Sequence, residues 1–66
     1  MFKRIEPNRA LKEKIADKGL KQGWIAKKAE VNQADFSQIC NGIKNPTLKQ
    51  AINISAVLEC AIEDIF

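Results

Sequence analysis

Gln22-Gly23-Trp24-Ile25-Ala26-Lys27-Lys28-Ala29-Glu30-Val31-Asn32-Gln33-Ala34-Asp35-Phe36-Ser37-Gln38-Ile39-Cys40-Asn41-Gly42 reads as two short helices with almost nothing between them. Ile25, Ala26 and Ala29 repeat at helical spacing, which predicts a helix over residues 22–30 with that edge turned inward. Lys21 is a poor cap for it, and Gly23 weakens its first turn by about 1 kcal/mol. Asn32 followed by Asp35 has the spacing of a capping box and opens a second helix, on which Phe36, Ile39 and Cys40 form a buried i, i+3, i+4 stripe. Asn41-Gly42 ends it.

Only Ala29 to Asn32 remain for the turn, too few to let the two helices run back antiparallel, so they must cross steeply. That is helix-turn-helix geometry, in which the second helix is pushed outward to enter a DNA groove. With Phe36, Ile39 and Cys40 turned inward, a rotation of about 100° per residue leaves Ala34 and Gln38 outermost, Ser37 and Asn41 beside them and Gln33 at the N-terminal tip. Glutamine can hold adenine through two hydrogen bonds, an alanine methyl can meet a thymine methyl, and serine can bond to a base edge or a phosphate. On an arbitrary amphipathic helix the same residues would simply be a solvated face.

Working outward, Asn8 caps an earlier helix over Arg9–Lys18, with Leu11 and Ile15 inward and Gly19 as its left-handed stop. Downstream, Asn45-Pro46 makes a turn, and Thr47 with Gln50 forms a capping box. The helix it opens shows a wide apolar face made of Leu48, Ala51, Ile52, Ile54, Ser55 and Leu58. A last helical turn over 62–66 closes the chain, and Ile65-Phe66 reads as a domain end. No segment alternates with period two and nothing repeats, so the expected fold is all-α, a compact bundle of about five short helices in a single domain over 1–66. Residues 1–8 are expected to form a flexible arm, with Lys3 and Arg4 either near a nucleic-acid backbone or at a frayed end.

Composition narrows the function classes. Sixty-six residues, 45% of them hydrophobic, suit a small packed domain and leave no room for a second, sensory domain in this chain. No apolar run reaches a membrane span and the N-terminus lacks the apolar core of a signal peptide, so a cytoplasmic protein is expected. There is no histidine, and Cys40 and Cys60 stand alone, so no metal, cofactor or disulfide is expected and both thiols are read as small core residues. An enzyme is set aside: no nucleophile stands beside a base, no glycine-rich loop cradles phosphate, and no small-molecule ligand is expected. All eleven Lys and Arg fall in residues 1–49 against five acids, a net +6, while residues 50–66 carry three acids and no base. A basic segment ahead of an acidic tail suits a phosphate-binding surface with its back to solvent or to another subunit.

The stretch from Leu20 to Gly42, followed by Asn45-Pro46-Thr47-Leu48 and closing on Leu58 and Ile62-Glu63-Asp64-Ile65-Phe66, resembles the lambda-repressor-like helix-turn-helix family. That family includes the Cro and C1 phage regulators and the XRE-type bacterial regulators, and the resemblance covers residues from about 9 to 66. It implies a sequence-specific regulator, a repressor of the Cro kind and of phage or mobile-element origin, bound as a homodimer to a near-palindromic double-stranded DNA operator. It implies that Gln33, Ala34 and Gln38 meet base edges, to which the phase of the helix adds Ser37 beside them. Gln22, Asn32, Asn41, Lys44 and Asn45 would hold phosphates, with Gln22 also bracing Gln33, and the dimer interface would lie in the C-terminal third around Leu58, Ile62 and Phe66.

Two positions depart from the family pattern. Glu30 stands where the family usually has a glycine in a left-handed turn, and Ile15 and Cys40 replace a helix-one Arg and its helix-three Glu partner, so no charge is orphaned. Trp24 has two open roles, packing against a neighbouring helix or lying along a phosphate or sugar. The competing function is a protein-interaction module on the same fold, of antitoxin or coactivator type, which would work through the tail around Leu58, Ile62, Ile65 and Phe66. The basic excess and the amide-bearing helix face favour DNA.

Overall fold

In the computed structural model, which describes residues 6–66, the chain forms α1 (Arg9–Lys18), α2 (Gln22–Lys28), α3 (Gln33–Cys40), α4 (Leu48–Val57) and a closing 3₁₀ turn (Ile62–Asp64). The description is all-helical, with four α-helices where about five short helices were expected; the last one shrinks to a single 3₁₀ turn. No helix among the described residues is long and apolar enough to cross a membrane.

Local chemistry explains where each helix starts. The Asn8 side chain accepts the Leu11 N–H at 3.0 Å and caps α1. Thr47 and Gln50 complete a reciprocal box at α4, with Thr47 Oγ1 accepting from the Gln50 N–H at 3.1 Å and Gln50 Oε1 accepting from the Thr47 N–H at 3.0 Å. At α3 only half of the expected box forms. Asn32 Oδ1 accepts the Ala34 N–H at 2.8 Å, but Asp35 is 3.1 Å from Lys44 Nζ, because an ion pair with lysine outbids a reach back to a solvated backbone N–H. Lys21 makes no capping bond to α2, which also ends at Lys28, two residues earlier than its apolar pattern suggests.

All four α-helices stop in one way. A left-handed residue follows, directly after α1 at Gly19 and one residue beyond the C-cap at Glu30, Gly42 and Glu59, with φ between 55° and 74°. The next N–H then reaches back five residues: Leu20 to Ile15, Val31 to Ala26, Ile43 to Gln38 and Cys60 to Ser55. Glycine adopts this conformation freely, whereas each glutamate is strained by about 1 kcal/mol or more. Gly42 has a second reason to be glycine, since a Cβ there would fall on the Glu6 carbonyl.

Glu6 thus passes close to α3, and Asn8 of the stretch 1–8, expected as a flexible arm, is bonded on two sides. The Asn8 N–H donates to the Cys40 carbonyl at 2.8 Å and its side-chain amide to the Ile65 carbonyl at 2.7 Å, so one residue ties the start of the domain to the end of α3 and to the closing turn. Lys3 and Arg4 lie outside the described residues.

Phe36, Leu11, Ile25, Ile39, Ile54, Leu58 and Ile65 are fully buried and meet at the centre. The expected wide face of α4 is buried only in part: Ala51, Ile54, Ser55 and Leu58 point into the core, while Leu48 and Ile52 lie on the far side in solvent. Those four residues span under half the circumference of the helix, the side on which α4 meets α2 and the closing turn. Asn53, flanking that face, donates to the Ala29 carbonyl at 3.2 Å and pins α4 to the end of α2.

Two stability outcomes follow. A chain of this size is stable by only about 3–10 kcal/mol, so Phe36→Ala, which costs about 3–5 kcal/mol in emptied core, should bring it near unfolding in urea titrations. Glu30→Gly should raise the unfolding free energy by about 1 kcal/mol, because glycine removes the left-handed strain at φ 58°.

Candidate nucleic-acid interface

The turn between α2 and α3 decides what α3 can present. Val31 is buried as the first residue after the left-handed Glu30, and it pulls the start of α3 onto α2. With Phe36, Ile39 and Cys40 locked in the core, Gln33, Ala34 and Gln38 are exposed and Ser37 is half-buried between them. The four residues singled out for base contact therefore share one outward face. Cys40 beneath them is a core residue, and burial pushes its thiol from 9.0 up to about 11, against a smaller downward pull from Lys12.

Gln33 does not stand free in solvent. Its side-chain amide lies over the first turn of α2, where a Cβ built on Gly23 would come 3.2 Å from Gln33 Nε2. Gly23, which costs α2 helical stability, leaves the space in which that amide sits. Gln22 is exposed beside it.

Of the residues assigned to phosphate, three already have partners within the domain. Asn32 uses its side-chain oxygen as the α3 cap, so the amide nitrogen is its available end. Asn41 accepts a hydrogen bond from Lys12 Nζ at 2.9 Å, which orients its oxygen toward α1 and turns its donor away. Lys44 pairs with Asp35, both about two-fifths exposed at the side chain. The Gln38 carbonyl collects the N–H groups of Ile43 at 2.9 Å and Lys44 at 3.3 Å, so the loop after α3 folds back on the helix it follows. Asn45 is exposed on that loop.

Lys12 is the residue that sequence reasoning missed. Its partner lies 29 positions away, and no local pattern on α1 signals the pairing. Asp35, whose spacing from Asn32 predicts a cap, serves instead as the counter-charge to Lys44. Trp24 is 46% exposed with Lys28 Nζ 5.7 Å from its ring centroid, a cation–π pair on the outer side of α2.

The expected dimer residues are not equivalent. Leu58 is fully buried and has no surface to offer a partner, because it faces the core from the last turn of α4. Ile62 is half-buried and Phe66 is 40% exposed.

No family model matches this sequence, and neither does any curated protein at a significant level. The fold, however, has a solved counterpart. This chain is similar to the restriction-modification controller protein C.AhdI from Aeromonas hydrophila, whose crystal structure superposes with a TM-score of 0.83 over 89% of each chain at 20% sequence identity. At that identity the likeness is one of fold.

Proposed function

We propose that this chain is a sequence-specific double-stranded DNA-binding regulator in which α2 and α3 form a helix-turn-helix and α3 lies in the major groove. The observation that carries the reading is the outward face of α3: Gln33, Ala34, Ser37 and Gln38 together, with the amide of Gln33 seated on Gly23. These side chains hydrogen-bond or touch base edges without bringing charge into the groove. A controller protein with the same fold supports a regulatory role.

In this reading Gln22, Asn32, Asn41, Lys44 and Asn45 bracket that face and bind phosphate, which sets register and orientation without selecting sequence. Lys12 acts through Asn41 by holding its oxygen, so that the amide hydrogens are the ones offered to phosphate. A homodimer on a near-palindromic operator brings two such helices to successive turns of the groove, about 34 Å apart. A regulator of this kind in the cytoplasm would respond to its own concentration, as a Cro-like switch of a phage or mobile element does. The tail named for a protein-interaction module would have only half-buried Ile62 and exposed Phe66 to work through, since Leu58 and Ile65 are buried.

In vitro selection from a random duplex library at physiological salt tests this reading, because specific retention should exceed bulk binding by about a thousandfold or more. A palindromic motif is the expected product, and retention no better than bulk DNA would overturn the proposal. On the selected site, Gln33→Ala should cost about 1–3 kcal/mol and relax one base pair of the motif, whereas Lys44→Ala should weaken binding to all sequences alike.

A further inference from the structure

α4 carries a second apolar face that the chain does not cover. Leu48 and Ile52, one turn apart, are 74% and 47% exposed, and exposed Ala56 continues the row one turn later. The core-facing residues Ala51, Ile54 and Leu58 are buried on the other side, so the helix is properly seated and apolar twice over.

The row is bounded by one charge of each sign. Lys49 lies at its N-terminal end and Glu59 just past its C-terminal end, both exposed. The residues along it are also arranged symmetrically: 48 with 60, 49 with 59 and 52 with 56 are each centred on Ile54. Two copies of α4 laid antiparallel across a two-fold axis level with Ile54 therefore place Ile52 against Ala56 of the other copy, twice. At the ends of the seam, Lys49 comes level with Glu59 of the other copy, which stands exposed in the turn just past Val57, the last residue of α4. Large meets small, positive meets negative, and the helix dipoles oppose. The parallel arrangement would put Lys49 on Lys49 and Glu59 on Glu59, which like charges disfavour.

We infer that the exposed face of α4 is the seam between two copies of this chain, antiparallel, in the register that pairs Lys49 with Glu59 and Ile52 with Ala56. The seam deepens the proposed dimer by giving it a place, and it replaces the interface centred on buried Leu58. None of its residues belongs to α3.

Sedimentation equilibrium of the full chain without DNA tests the seam. The wild type should dimerise at micromolar to about 100 µM concentration, the range of an interface of modest area. Ile52→Glu should stay monomeric there while keeping the wild-type helical circular dichroism, since Ile52 lies outside the core. Lys49→Glu and Glu59→Lys should each raise the dissociation constant by about tenfold, and the double reversal should restore it to within about threefold. A wild type that is monomeric throughout, an Ile52→Glu variant that dimerises undiminished, or a double reversal that recovers nothing would each overturn the inference. Because no DNA is present, a dimer that passes these tests but retains no sequence in the selection would sink the DNA reading and leave the seam standing.

Discussion

The hydrogen bond from the Val31 N–H to the Ala26 carbonyl, 2.9 Å long, is the contact on which the arrangement of this domain depends. It closes α2 and turns the chain within four residues, and it requires Glu30 at φ 58° between its two ends. With the turn in this form, Val31 is buried and Asn32 is placed to cap α3, so the start of α3 is held by the turn and the cap. Phe36 then has one direction in which to point. The strain of about 1 kcal/mol in Glu30 is small beside the core contacts that the turn allows, which is why a poor residue type persists at a position glycine would fill better.

The elements governed by local chemistry were legible in the sequence. Asn8, Gly19 and the Thr47–Gln50 pair mark helix ends because caps act over three or four residues, and each forms as its spacing predicts. The stripe of Phe36, Ile39 and Cys40 needed only the helical period to set which face of α3 is outward. What was not legible depends on neighbours that the sequence does not place. Leu48 and Ile52 look like core because a hydropathy pattern cannot count how many elements will cover a helix, and Leu58 looks like surface only if the tail is imagined to stand clear. Asn8 gave no sign that its amide would reach Ile65, 57 positions away, and tie the start of α1 to the closing turn.

The same distinction runs through the candidate interface. Its outward-facing residues on α3 follow from the phase of one helix, but the state of its polar residues is set by pairs distant in sequence, Lys12 with Asn41 and Lys44 with Asp35. These pairs change what each residue presents. Asn41 with its oxygen engaged is a donor, suited to an anion, whereas an unheld asparagine amide could turn either end outward. Gly23 belongs with them, since it contributes by having no side chain where Gln33 must lie.

Lys44 raises the question of how a lysine already paired to a carboxylate could serve a phosphate. Both members of the pair are partly exposed at 3.1 Å, and such pairs are worth about 0–1 kcal/mol, so releasing the ammonium costs little beside a phosphate contact. Without the lysine, Asp35 would leave a negative charge in the first turn of the helix proposed to enter a polyanion, where repulsion acts on every sequence equally. With the lysine beside it, the carboxylate is neutralised from the loop side and the ammonium is held close to where a backbone phosphate would arrive. The pair is therefore better understood as the means by which an acidic residue is tolerated at the tip of α3 than as a support of the fold. In the proposed complex, the tolerance of Asp35 and a contact to phosphate would then rest on a single residue of the loop that follows.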